Sequence, residues 1–369
     1  MRAFLLATAL LLAAGILPAP AQNAAPTVTP AMDGIFAAFK THSLVGLGEH
    51  HRIAQELDFY NALVRDPRFA REVGNVVVEF GGAAHQDIID RYVAGEEVPY
   101  TELRKVWTDT VGWVPAVTGI GYPNFFAQLR EVNRSLPPQE RIRVWLGEPV
   151  IDWDKIKTHD EWFAINRTRD DFAADVIERN VLARGKKALV IYGGAHFELP
   201  VPGTAGEKLQ KAGWRNANLG DLIRRRHPGA LYVALFYNGT ANKDCAQDVE
   251  HGMSSWPVPA LISPARGSFV ADKLRACSTL RAEDGEFPPG LTDQEKQQIV
   301  DATKDVMSQA DAVLYVGLSG SLTYSPYIPD QYLDADYRRT IARRYTLQTG
   351  QPYPDYPIRD FAALRKVRP

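Results

Sequence analysis

Six short apolar runs punctuate this chain, and the stretches between them carry apolar residues at helical spacing. The runs are Leu44–Leu47, Asn75–Phe80, Arg141–Gly147, Lys187–Tyr192, Leu231–Tyr237 and Ala312–Val316. Continuous apolar segments this short predict buried strands. Ile53, Leu57, Tyr60 and Val64 predict a helix from Arg52 to Val64, stopped at Asp66-Pro67. Similar spacing predicts helices over Met32–Lys40, Phe125–Val132 and Ala335–Tyr345, a long polar helix over Glu161–Ala183, and another after Gly81-Gly82. Strands alternating with helices predict an α/β fold, its sheet mostly parallel with helices on both faces. In such sheets ligands bind at the carboxyl ends of the strands, so the pocket is expected there.

Some stretches give no clear period. Gln22–Met32, rich in Ala, Pro and Thr, reads as a loose leader. The segment 96–122, with Trp107 and Trp113 among its prolines and glycines, fits a mobile lid or specificity element, or a packed helical hairpin. The polar stretch 238–289 reads as an insertion or a small subdomain within one α/β domain spanning 22–369. Tyr324–Pro369 is expected to wrap the surface.

Composition changes the picture at the N-terminus. Arg2, the apolar run Phe4–Leu17 and the small residues Ala19-Pro20-Ala21 have the pattern of a signal peptide, with Gln22 as the first mature residue. No later run is long enough for a membrane span, so no membrane association is expected after cleavage, and the periplasm or the exterior is the expected address. Export makes a bridge between Cys245 and Cys277, the two cysteines, plausible, though spacing alone does not decide it. With 45% hydrophobic and 23% charged residues the chain is an ordinary globular protein, and its formal net charge of −2 lacks the basic face that nucleic-acid binding needs.

The candidate chemistry gathers where strands end. Glu49 and His51 follow the first strand, Glu79 closes the second, and His196 follows the fourth behind Gly193-Gly194. Parallel strands place these ends on one edge of the sheet, so the four groups are expected to converge as the catalytic set. His50, between Glu49 and His51, would face the other way. Glu148 follows the third strand, and Arg169 sits in the long polar helix; with His50 they are the expected substrate-side residues. Arg169 and Asp170 also suit a solvated helix pair. Imidazole with carboxylate supports water activation by a general base, binding of zinc, iron or manganese, or a pocket that only orients a ligand. There is no GxSxG elbow and no HExxH motif.

Gly48-Glu49-His50-His51 resembles the G-E-x-H signature of the superfamily that holds erythromycin esterases, ChaN-type haem-uptake proteins and Tiki/TraB domains. Glu79, then Arg169-Asp170 with Ala173 and Ala174, then Tyr192-Gly193-Gly194-Ala195-His196-Phe197 resemble its later motifs in order, from about Leu44 to Leu199. Asp311–Gly317 is reminiscent of the last strand of exported erythromycin-esterase-like proteins. The resemblance implies an α/β core with hydrolysis by a histidine-activated water and no required cofactor in the esterase branch. In the Tiki branch it implies metal-dependent peptide cleavage, and in the ChaN branch binding of haem or iron. The esterase signature has two residues between Glu and His, whereas one separates Glu49 from His51, which is closer to the ChaN pattern. The expected partner is a small-molecule substrate or haem. The reading is an exported hydrolase acting on an ester or amide, with a periplasmic haem- or iron-binding protein as the alternative.

Overall fold

Odd and even positions along the central strands separate into two apolar clusters. Val45, Leu47, Val76, Val78, Leu189 and Ile191 belong to one, while Val77, Val190, Tyr192 and Val233 belong to the other. That is the period of two expected of a strand buried on both sides. The structure is a computed structural model and describes residues 25–212, 218–240 and 242–354. The expected signal peptide lies outside the described residues, as do residues 355–369 of the tail.

Eight strands form one sheet: β1 Thr27–Pro30, β2 Leu44–Glu49, β3 Asn75–Gly82, β4 Arg143–Glu148, β5 Ala188–Gly193, β6 Leu231–Tyr237, β7 Ala260–Ser263 and β8 Ala312–Tyr315. Their order is β1-β7-β8-β6-β2-β5-β3-β4. The pairs from β8 through to β4 are parallel, and β7 runs antiparallel to both β8 and β1. The protein is therefore α/β with a mixed, mostly parallel sheet. One apolar cluster is completed by helices Ala31–Thr41, Ala54–Arg65 and Gly121–Arg134. The other is completed by Arg169–Asn180, Leu219–Arg226 and Lys243–Gly252.

Four expectations are corrected. The leader is not loose, since it contributes an edge strand, β1, whose partner β7 comes from stretch 238–289. Both strands have four residues beside prolines, too few to show a period. The long polar helix is two helices, His159–Asn166 and Arg169–Asn180, the second starting at Arg169. Segment 96–122 is neither one hairpin nor a detached flap: it forms short helices, and Trp107 is buried in the core against Phe126. The tail, finally, does more than wrap the surface. Residues Thr323–Ser325 lie along the turn after β2, where Ala54 N–H donates to Thr323 O at 2.8 Å and Ser325 N–H to Arg52 O at 2.6 Å.

Cys245 and Cys277 are bonded, tying helix Lys243–Gly252 to helix Phe269–Cys277. Among the described residues no helix is long and apolar enough to cross a membrane.

Candidate active site

The sheet order makes neighbours of four strand ends. In the β2–β5 register Glu49 stands opposite Gly193, β3 flanks β5 on its far side, and β4 follows β3. Glu49, Gly193, Glu79 and Glu148 thus reach one rim from four consecutive strands of the sheet. Past Glu49 the chain turns sharply through Arg52, whose φ of 71° is the one positive value at a non-glycine among the described residues. A left-handed non-glycine costs about 1–2 kcal/mol, so something must hold it. Arg52 N–H donates to the Tyr122 hydroxyl at 3.1 Å. Its guanidinium donates to Ser325 O at 2.8 Å and lies 3.6 Å over the Tyr327 ring.

That turn brings the His51 imidazole back over the strand ends. His51 Nδ1 is 2.7 Å from Glu49 Oε1. An ionised carboxylate only accepts, so Nδ1 carries the proton and Nε2 is the free edge of a neutral ring. Tyr122 O–H donates to the same Glu49 oxygen at 2.8 Å. A methyl group on Gly193 would lie 2.9 Å from His51 Nε2 and 3.4 Å from Glu79 Oε2, so only glycine leaves room for this stacking. Burial works against the charged imidazole, but the Glu79 carboxylate and the Glu49 hydrogen bond outweigh it, and the pKa is pushed up to about 9.

Behind His51 is a buried ionic layer. Arg169 Nε donates to Glu148 Oε1 and Oε2 at 2.7 and 2.9 Å, and Nη2 donates to Glu79 Oε1 at 2.6 Å. Gly193 N–H donates to Glu79 Oε2 at 2.6 Å. His196 directs Nε2 at Glu79, 3.3 Å away, and Nδ1 at Asp170. Burial favours a neutral Glu79, but His196, His51 and Arg169 overcome it and hold the carboxyl well below its usual range. Burial likewise opposes charge on His196, and Glu79 and Asp170 reverse the balance and raise its pKa. Burial raises Glu148, which Arg169 offsets only in part.

The chain therefore brings Glu49, His50, His51, Glu79, Arg169 and His196 to one cavity of about 510 Å³. Glu148 is not on its wall: it is 0% exposed and meets the site through Arg169, contrary to the expectation of a substrate contact. His50 does reach the wall, with its N–H 2.8 Å and its Nδ1 3.2 Å from the buried Glu56. Burial, only partly opposed by His50, pushes Glu56 up to about 7. The solvated reading of Arg169 and Asp170 is corrected, since both are buried. With both ring nitrogens facing carboxylates, His196 has no free edge to serve as a base; His51 has.

Three contributors escaped the sequence reading: Asp170 as the partner of His196, Tyr122 and Glu56. A signal existed for Asp170. Ala173 and Ala174, both fully buried, follow it on the same helix, as expected where a helix packs closely. Tyr122 carries no such signal.

Glu49, His51 and Glu79 each offer a ligand atom, all within 4.8 Å of one another. Two carboxylates with an imidazole are a donor set for zinc, iron or manganese. Against a cation, both Glu79 oxygens already accept hydrogen bonds and Glu49 Oε1 accepts two. Two other cavities, of about 530 and 600 Å³, lie elsewhere and contain none of these residues, so chemistry rather than volume selects the site.

No protein-family model matches the chain, and no curated protein does. Solved structures give distant likenesses. The type III effector HopBA1 is 14% identical with a TM-score of 0.34, over 59% of this chain and 88% of that one. A structure described as bacterial protein toxins is 16% identical with a TM-score of 0.37, over 57% of this chain and 37% of that one. A Bacillus cereus protein is 11% identical with a TM-score of 0.44, over 77% of this chain and 90% of that one. Likenesses this loose transfer no activity.

Proposed function

We propose that this protein is an exported hydrolase of the erythromycin esterase/ChaN/Tiki type, with its pocket at the strand carboxyl ends, in which His51 activates water on an ester or amide. The observation that carries this reading is the Glu49–His51 pair: the carboxylate holds Nδ1 at 2.7 Å and leaves Nε2 as the basic edge in a cavity. Glu49 fixes the tautomer and, with Glu79, stabilises the imidazolium formed when the proton arrives. Arg169 uses Nε and Nη2 on carboxylates, which leaves Nη1 as the edge for a developing oxyanion. His196 and Asp170 keep Glu79 charged and in place. The disulfide supports export, since such bonds persist in oxidising compartments.

A base works deprotonated, so hydrolysis rises with pH as His51 loses its proton, with a limb near the value of about 9 to which its pKa is raised. Turnover of simple esters by the full chain, measured across pH, tests this. We expect an alkaline limb, survival in the presence of chelator, and a loss of roughly 10²–10⁴-fold in His51→Ala. Activity indifferent to that substitution removes the reading.

The proximity of Glu49, His51 and Glu79 ligand atoms favours a second reading, binding of iron or another transition metal without turnover. Elemental analysis of purified protein separates the two. A stoichiometric metal lost in His51→Ala, with no ester turnover, supports the second.

A further inference from the structure

We propose that the cavity includes a subsite for an uncharged apolar ring, aromatic or alicyclic, on the part of the substrate that does not react, and that Trp113 and Tyr324 are its contacts. The word substrate rests on the hydrolytic reading above; the subsite rests on separate observations. Most large aromatic side chains here are buried, yet Trp113 is 51% and Tyr324 69% exposed, and both line the cavity that holds His51.

Neither ring hangs on a loose loop. Beside Trp113, the buried Gln348 donates from Nε2 to Gly112 O at 2.9 Å and accepts from Val114 N–H at 3.0 Å. Beside Tyr324, Thr323 O and Ser325 N–H are bonded to the turn after β2 at 2.8 and 2.6 Å. A water-exposed ring on a fixed backbone can meet a ligand with little further ordering, which is where aromatic side chains contribute most to binding.

The remaining wall states the polarity of the occupant. Leu235, Val306 and Met307 line the same cavity, with Glu198 and Asn238 as further polar members of the wall, and methionine adapts its thioether to ring faces. A charged or heavily hydroxylated ring seated on those three apolar side chains would lose its hydration there without replacement partners. The volume of about 510 Å³ is that of a small-molecule site rather than a macromolecular one.

The test uses three esters with alkoxide leaving groups: methyl acetate, benzyl acetate and methyl phenylacetate, the last two placing the ring on either side of the reacting bond. We expect kcat/KM for at least one ring ester to exceed that for methyl acetate about tenfold or more, the size of one good aromatic contact. Trp113→Ala and Tyr324→Ala should each reduce that preference severalfold, acting mainly on KM, and Trp113→Phe should retain most of it. A binding arm is independent of turnover: N-benzylacetamide is titrated calorimetrically into His51→Ala, and adding Trp113→Ala should weaken it severalfold. Trp113-dependent binding without hydrolysis of any ester would refute the hydrolytic reading and leave the subsite standing. Absence of N-benzylacetamide binding, or a ring preference equal in wild type and both alanine variants, overturns the subsite whether or not esters are cleaved.

Discussion

A histidine two residues past a strand would ordinarily sample several rotamers in a loop. In this chain Glu49 takes its Nδ1, and the bare backbone of Gly193 leaves space beneath Nε2. Gly193→Ala tests that fit. The added methyl meets the movable end of His51 rather than strand backbone, so the ring should be displaced while the sheet survives. We expect hydrolysis to fall at least about tenfold, the scale of losing correct placement of a reacting group, with the circular dichroism spectrum kept. Unchanged turnover would show that the ring does not need this pose. At this scale Glu49, His51, Glu79 and His196 were legible because each stands at, or a few residues past, the end of an apolar run. Tyr122 was not, because it reaches the site from the start of a helix remote in sequence, and nothing about a tyrosine in that position announces an acidic partner.

Among the elements, the turn after β2 depends on a segment 273 residues later. Thr323 and Ser325 supply backbone partners to it, and Ser325 O accepts the Arg52 guanidinium. Two substitutions separate the left-handed backbone from the side chain. Arg52→Gly and Arg52→Ala both lose the guanidinium, but only alanine keeps the strain, so Arg52→Ala should be the less stable by about 1 kcal/mol. Urea unfolding measures the difference, and equal stabilities would mean that the turn relaxes. The strands of the parallel core could be read from their apolar runs, with ends that shifted by a residue or two. β1 and β7 could not, since four residues beside prolines have no visible period. Nor could the break before Arg169, which lets that residue and Asp170 start a helix beside the strand ends. A polar sequence suits one long helix as well as two.

For the molecule as a whole, the order β2-β5-β3-β4 is what converts four separate strand ends into one site. Alternating strands and helices made a shared rim predictable, but not which strands would be neighbours, because that depends on how each crossover packs. The disulfide joins helices Lys243–Gly252 and Phe269–Cys277 on one face of the sheet. Cys245→Ser with Cys277→Ser should therefore lower stability by about 2–4 kcal/mol, the usual effect of losing such a link. Denaturant unfolding with and without reductant checks it, and a wild type insensitive to reduction would count against a structural role.

The proposed site depends most on two carboxylates from different strands acting on one imidazole. Nuclear magnetic resonance titration of the His51 ring in histidine-labelled protein tests this without knowledge of the substrate. The ring should titrate near the raised value of about 9, and Glu49→Gln and Glu79→Gln should each bring it down, because both carboxylates favour the charged form. A His51 that titrates at an ordinary histidine value of about 6.5 and ignores both substitutions would contradict the site described here.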